Sequence, residues 1–160
     1  MILWAHGLEG SPEGTKASAL RAAGFELLAP DGRGKVLALR IAELDRVSAE
    51  LAGRRVLLAG SSYGGLAAAW LAQERPERFC GLLLLAPALH HREAPALEAL
   101  RPPPGLPVIV LHGALDEVVP VQASRDYVAG SHAQLRIQDD GHALADSLPA
   151  LIAAARELLH

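Results

Sequence analysis

Short apolar runs alternate with longer amphipathic runs along the whole chain. ILWAHG (2–7), FELLAP (25–30), RVLLAG (55–60), FCGLLLL (79–85), VIVL (108–111) and QLRIQ (134–138) read as strands. Between them, 11–23, 35–52, 63–74, 121–129 and 147–159 carry apolar residues at helical spacing, as in Leu37, Ile41, Leu44, Val47 and Leu51. Gly24, Gly53 and Gly130 follow three of these helices as stops, and Ser11-Pro12-Glu13 reads as a start, with Ser11 as N-cap. Apolar strands separated by helices pair in parallel and are covered on both faces. The expected fold is a three-layer α/β/α sandwich of about six parallel strands, one domain over residues 1–160. Residues 88–106, including HHREAPALEALRPPP, break the rhythm and read as a short lid-like insertion with a helix near 94–100.

Composition narrows the function classes. The net charge is -3, and no cluster of basic and aromatic residues marks a nucleic-acid surface. No apolar run reaches the roughly 20 residues of a membrane span. The opening MILWAHG lacks a basic n-region, which argues against a secretory signal. The one cysteine, Cys80, excludes an intrachain disulfide and a Cys-rich zinc site, and reads as an inert core thiol. The expected location is the cytoplasm. The oligomeric state is open.

In a parallel sheet, ligands bind beyond the carboxyl ends of the strands. Reactive residues that directly follow a strand are few: His6, Asp31, Ser61, Ser62, Asp116, Asp139, Asp140 and His142. GSSYG (60–64) fits G-x-S-x-G with Ser62 at its centre, after VLL and before LAAAWLA. A sharp strand-to-helix turn demands small residues two positions either side, which Gly60 and Gly64 supply. Ser61 would be flanked by Ala59 and Tyr63, so Ser62 is the candidate nucleophile and an ordinary turn serine is the alternative.

A serine hydroxyl needs a base. His142, in QDDGHAL, lies in a loop after a strand, whereas His132 precedes one and His160 ends a helix. Asp116, in HGALDEVVP, is the candidate acid, with Glu117 its neighbouring competitor and Asp139 and Asp140 read as a solvated turn. The order Ser, acid, His suits this architecture. An oxyanion needs two backbone N–H groups: Tyr63, after the nucleophile, and Leu8, in HGLEG, with Glu9 second. Glu9, His90 and His91 are candidate substrate-lining residues, the two histidines otherwise plain loop residues beside Arg92. His6 and His112, in His-Gly turns, read as structural, and Asp31 as a turn residue. This chemistry requires no metal or organic cofactor. A metal site at His90-His91 or at Asp139, Asp140 and His142 lacks an HExxH-type spacing.

Together AHGLEGSP, PDGRG, GSSYGG, HGALDEVVP and DDGHAL resemble the α/β-hydrolase superfamily over essentially the whole chain. HGLEGSPEGTKA with GSSYGGLAAAWLA is similar to short bacterial esterases of the YqiA type. The resemblance implies a reduced α/β-hydrolase fold that lacks the family's first two strands. It also implies a sheet order of 2-1-3-4-5-6 in this chain's own count and a minimal lid. It further implies serine hydrolysis of a small-molecule acyl ester through an acyl-enzyme, and the short lid, by leaving an open, shallow site, points to short acyl chains. Thioester, peptide or lactone cleavage and acyl transfer stay open on the same triad, as does a catalytically silent scaffold that binds a ligand or protein.

Overall fold

The computed structural model describes residues 1–94 and 99–160. The strands are β1 (Ile2–Ala5), β2 (Leu27–Leu28), β3 (Leu57–Ser61), β4 (Gly81–Leu85), β5 (Val108–Gly113) and β6 (Gln134–Gln138). The helices are α1 (Thr15–Ala22), α2 (Leu37–Glu50), α3 (Tyr63–Glu74), α4 (Val121–Val128) and α5 (Leu148–Leu159), with a 3-10 turn at Pro76–Arg78. All strand pairs are parallel, in the order β2-β1-β3-β4-β5-β6. This is a reduced α/β-hydrolase fold.

Side chains along a strand alternate between the two faces of the sheet, which is why the central strands are apolar throughout. Leu3, Leu58, Leu82, Leu84 and Val110 pack on one face with α2, α3 and α4. Ile2, Trp4, Leu57, Leu83, Leu85, Ile109 and Leu111 pack on the other with α1 and α5. β6, which alternates polar and apolar residues, forms a half-exposed edge. The α1 stop is a left-handed Gly24 at φ 91°, with Phe25 N–H donating to the Leu20 carbonyl and Gly24 N–H to that of Arg21.

Several elements differ from the sequence expectation. α1 begins at Thr15 behind an uncapped Gly14, not at Ser11. The carbonyl of Ser11 instead accepts from Gly14 N–H, so Ser11-Pro12-Glu13 forms a separate turn. The expected strand at 25–30 shrinks to Leu27–Leu28, because only those two residues pair with β1. Cys80 is half-buried, its thiol 3.7 Å from the Leu158 carbonyl, and burial raises its pKa. The expected helix at 94–100 lies partly outside the described residues.

β1 lies between β2 and β3, so the chain leaves it toward one side of the sheet and returns on the other. The loop after β1 and the turn after β3 therefore open side by side at a switch point, where a crevice forms.

Candidate active site

Ser62 stands between β3 and α3 with φ 53° and ψ −119°, a conformation L-residues avoid. Its surroundings impose it. Ser62 N–H donates to the Leu85 carbonyl at 2.8 Å, and its own carbonyl accepts from Ala88 and Leu66 N–H. Strain of this kind persists only where neighbouring bonds over-determine the backbone. The tight turn also explains its glycines. A Cβ on Gly60 would come 2.5 Å from the Gly64 carbonyl oxygen, and one on Gly64 would overlap the carbonyls of Ala5 and His6.

The Ser62 hydroxyl lies 3.0 Å from His142 Nε2, and His142 Nδ1 lies 2.7 Å from Asp116 Oδ2. A carboxylate only accepts, so Nδ1 carries the proton and Nε2 is left to accept from the serine. The Asp116 side chain is fully buried. Burial alone would raise its pKa. The Val119 amide, His142 and the Val118 amide outweigh that and lower it. Both amides reach Asp116 Oδ1 at 2.8 Å. The arrangement can pass a proton from hydroxyl to imidazole while keeping a negative charge behind the ring.

The loops that carry these groups are held by buried neighbours. His112 is fully buried, with Nδ1 2.7 Å from Ser124 Oγ and Nε2 3.0 Å from the Val119 carbonyl. Its Nε2 also lies 3.2 Å from Asp116 Oδ2, so it braces the Asp116 turn. Asp140 is more than the solvated turn the sequence implied. Its carboxylate accepts from Gly141 and Asp146 N–H and from the Ser147 hydroxyl, closing the loop around His142. The Ser147 hydroxyl lowers its pKa most; burial opposes this, and the backbone amides add to the lowering. Asp31 pairs with Arg33 at the surface, and Glu117 is exposed with no hydrogen bond among the described residues.

Ser62 and His142 open into a cleft of about 670 Å³. Leu8, Glu9, Tyr63, His90 and His91 all line it, so the loop after β1 and the 88–94 segment face each other across Ser62. No acceptor for the Tyr63 or Leu8 N–H is found among the described residues. The Tyr63 hydroxyl donates to Glu93 at 3.1 Å, and its ring meets His91 edge-on at 5.0 Å. The Tyr63 pKa rises through burial and then through Glu93. A second chamber of about 190 Å³, walled by Trp4, Ala17, Ala145 and Leu148, shares Gly7, Gly10, Lys16, Ser61 and Ala143 with the cleft. Sequence reasoning passed over Lys16, Val118 and Val119 as lining residues. Their spacing carries no motif; only the folded loops bring them to Ser62.

Residues 1–100 match the Uncharacterised protein family (UPF0227). The chain belongs to this family. The match stops short of Asp116 and His142, and none of the curated proteins matches the chain. Among solved structures, the UPF0227 chain is similar to a protein from Xanthomonas campestris pv. campestris assigned to the α/β-hydrolase superfamily. The two are 27% identical with a TM-score of 0.84, covering 99% of this chain and 96% of that one. Est1E from Butyrivibrio proteoclasticus shares 19% identity with a TM-score of 0.79, covering 99% of this chain and 87% of its own. A monoacylglycerol lipase from Paleococcus ferrophilus shares 17% with a TM-score of 0.75, covering 99% and 93%. At the last two identities the likeness is one of fold. These comparisons support a hydrolase of the α/β type for this UPF0227 member.

Proposed function

We propose that this chain is a serine hydrolase that cleaves carboxylic esters through an acyl-enzyme. The observation that carries the reading is the hydrogen-bonded series from Ser62 Oγ through the His142 ring to Asp116. In the proposed reaction, Ser62 Oγ attacks the ester carbonyl and its proton passes to His142 Nε2. Asp116 stabilises the imidazolium and fixes its tautomer. The N–H groups of Tyr63 and Leu8 receive the oxyanion. The alcohol leaves with the proton from His142, and water repeats the sequence on the acyl group.

The chamber beside Ser61 gives the acyl side a scale. A dry cavity of about 150 Å³ accepts a benzene ring, so about 190 Å³ suits an acyl group of a few carbons. Leu8 and Val118, both more than half exposed, give the cleft an apolar rim on which the rest of a small ester rests.

The test is intact mass and peptide mapping after treatment with a fluorophosphonate. The expected result is one adduct, on Ser62, absent in His142→Ala. Folded protein that takes no adduct would overturn the reading and leave a binding scaffold in its place.

A further inference from the structure

Arg40 sits in α2 yet is only 4% exposed, and its guanidinium reaches away from the helix toward the loop after β1. Nη1 donates to the His6 carbonyl at 2.8 Å and lies 3.5 Å from the Gly7 carbonyl, and Nε donates to the Lys35 carbonyl at 3.2 Å. Nη2 is buried with no acceptor among the described residues. The guanidinium carbon lies 5.0 Å from the centre of the Tyr63 ring. Arg40 makes no contact ion pair among the described residues, so the buried cation is offset by carbonyls, the Tyr63 side chain and the more distant Asp31 carboxylate. Such a charge is costly to bury. It meets the Tyr63 ring and the carbonyls of His6 and Gly7, the residues just before Leu8.

The peptide joining Gly7 to Leu8 shows what that position does. Its carbonyl is held by three donors: His6 Nδ1 at 2.8 Å, Gly10 N–H at 3.2 Å and, longest, Arg40 Nη1 at 3.5 Å. His6 is free to donate from Nδ1 because Gly32 N–H supplies Nε2 with a donor at 2.9 Å. No peptide bond among the described residues is cis, so the Leu8 N–H points opposite to the Gly7 carbonyl. Holding the oxygen on the buried side therefore turns the N–H away from those donors. Donors at one end of a peptide also polarise it and strengthen the N–H at the other. Gly32 makes room for all this: a Cβ there would come 3.0 Å from the Arg40 guanidinium carbon. The PDGRG turn is thus the floor of the arrangement rather than an idle loop.

We propose that Arg40 is a positioning residue for the oxyanion site, binding the carbonyls of His6 and Gly7 from beneath so that the Leu8 N–H faces the oxygen of the reacting carbonyl. This rests on the serine-hydrolase reading above. Arg40 does not touch substrate. It acts through one peptide plane, and its effect belongs to the tetrahedral state rather than to substrate binding.

The experiment compares wild type with Arg40→Met, Arg40→Lys and Gly32→Ala. The readouts are p-nitrophenyl acetate kinetics, inhibition by an alkyl trifluoromethyl ketone, and thermal unfolding. The ketone reports the oxyanion directly: the Ser62 hydroxyl adds across its carbonyl, the proton passes to His142, and the carbonyl π pair becomes the oxyanion. Misaiming such a donor costs about tenfold to a hundredfold. Arg40→Met is expected to lower kcat by that factor with KM nearly unchanged, and to weaken the ketone by the same factor. Arg40→Lys restores part of both, because an ammonium can still reach the His6 carbonyl, and Gly32→Ala, whose Cβ presses on the guanidinium carbon at 3.0 Å, lowers both by a smaller factor. A folded Arg40→Met with wild-type kcat overturns the proposal, as does a fall in kcat that leaves ketone affinity untouched. If Arg40→Met does not fold, a folded Gly32→Ala with wild-type kcat and ketone affinity overturns it equally. Wild type that neither turns over the ester nor reacts at Ser62 with a fluorophosphonate overturns the hydrolase reading itself, and this inference with it.

Discussion

His142 Nδ1 lies 2.7 Å from Asp116 Oδ2, although the two residues sit in the loops that follow different strands, β6 and β5. Asp116 is fixed by two backbone amides and by His112; His142 is fixed by the bonds Asp140 makes around it. The carboxylate therefore holds the ring in one tautomer. Asp116→Asn keeps the shape but offers the ring an amide that can donate as well as accept, so the wrong nitrogen can hold the proton. The expected loss is about 10⁴ in kcat. A mild effect here beside a large one in Glu117→Gln would move the acid to Glu117.

Acyl length is the next test. The 190 Å³ chamber behind Ser61 should make hydrolysis of p-nitrophenyl esters fall as the acyl chain grows past a few carbons. A steep rise toward long chains would show that the acyl group lies along the open cleft instead.

The two buttressed carboxylates contribute to the acid limb of stability. Both Asp116 and Asp140 have pKa values lowered from 3.8 in the folded protein. A lowered carboxylate contributes stability that is complete above its unfolded value and is lost as the pH falls through its folded one. The window is therefore below 3.8. Urea unfolding of Asp140→Asn should show reduced stability at neutral pH and converge on wild type as the pH drops below 3.8. A gap that stays constant across the range would mean the carboxylate charge is not what holds the His142 loop.

Gly64→Ala tests the elbow. Its new methyl would overlap the carbonyls of Ala5 and His6, both backbone atoms of β1 and its exit loop. Overpacking of this kind costs about 1–3 kcal/mol. The variant should unfold at lower urea and react more slowly with fluorophosphonate, because Ser62 and the loop after β1 shift together. Unchanged labelling in a destabilised variant would separate the turn's packing from its chemistry.

Tyr127 is fully buried and its hydroxyl has no partner among the described residues. Burial drives its pKa well above the ordinary tyrosine value. An unsatisfied buried hydroxyl costs about 1–3 kcal/mol, so Tyr127→Phe should raise the urea midpoint. A lower midpoint would reveal an acceptor that the hydroxyl depends on.

The architecture was legible in the order of the residues. Apolar runs too continuous for a one-faced sheet, all but the one at 79–85 followed by a helical stripe, lead to parallel strands, and α3 and β6 have the limits their patterns imply. Short, weakly paired pieces were not: β2 exists only where two residues meet β1, and the α1 start depends on a turn that the Ser-Pro-Glu pattern does not encode. Local sequence also singled out Ser62, because a five-residue turn is a local object. What brought its hydroxyl to an imidazole 80 residues away is the sheet, which sets the ends of β3 and β6 on one side of the molecule. Arg40 shows the difference most clearly. In sequence it is one polar residue in a helical stripe. In the fold it lies beneath the loop after β1, because α2 crosses the sheet next to the point where the strand order reverses. Periodicity reports which face of an element is buried. Only the packed chain decides what that face is buried against.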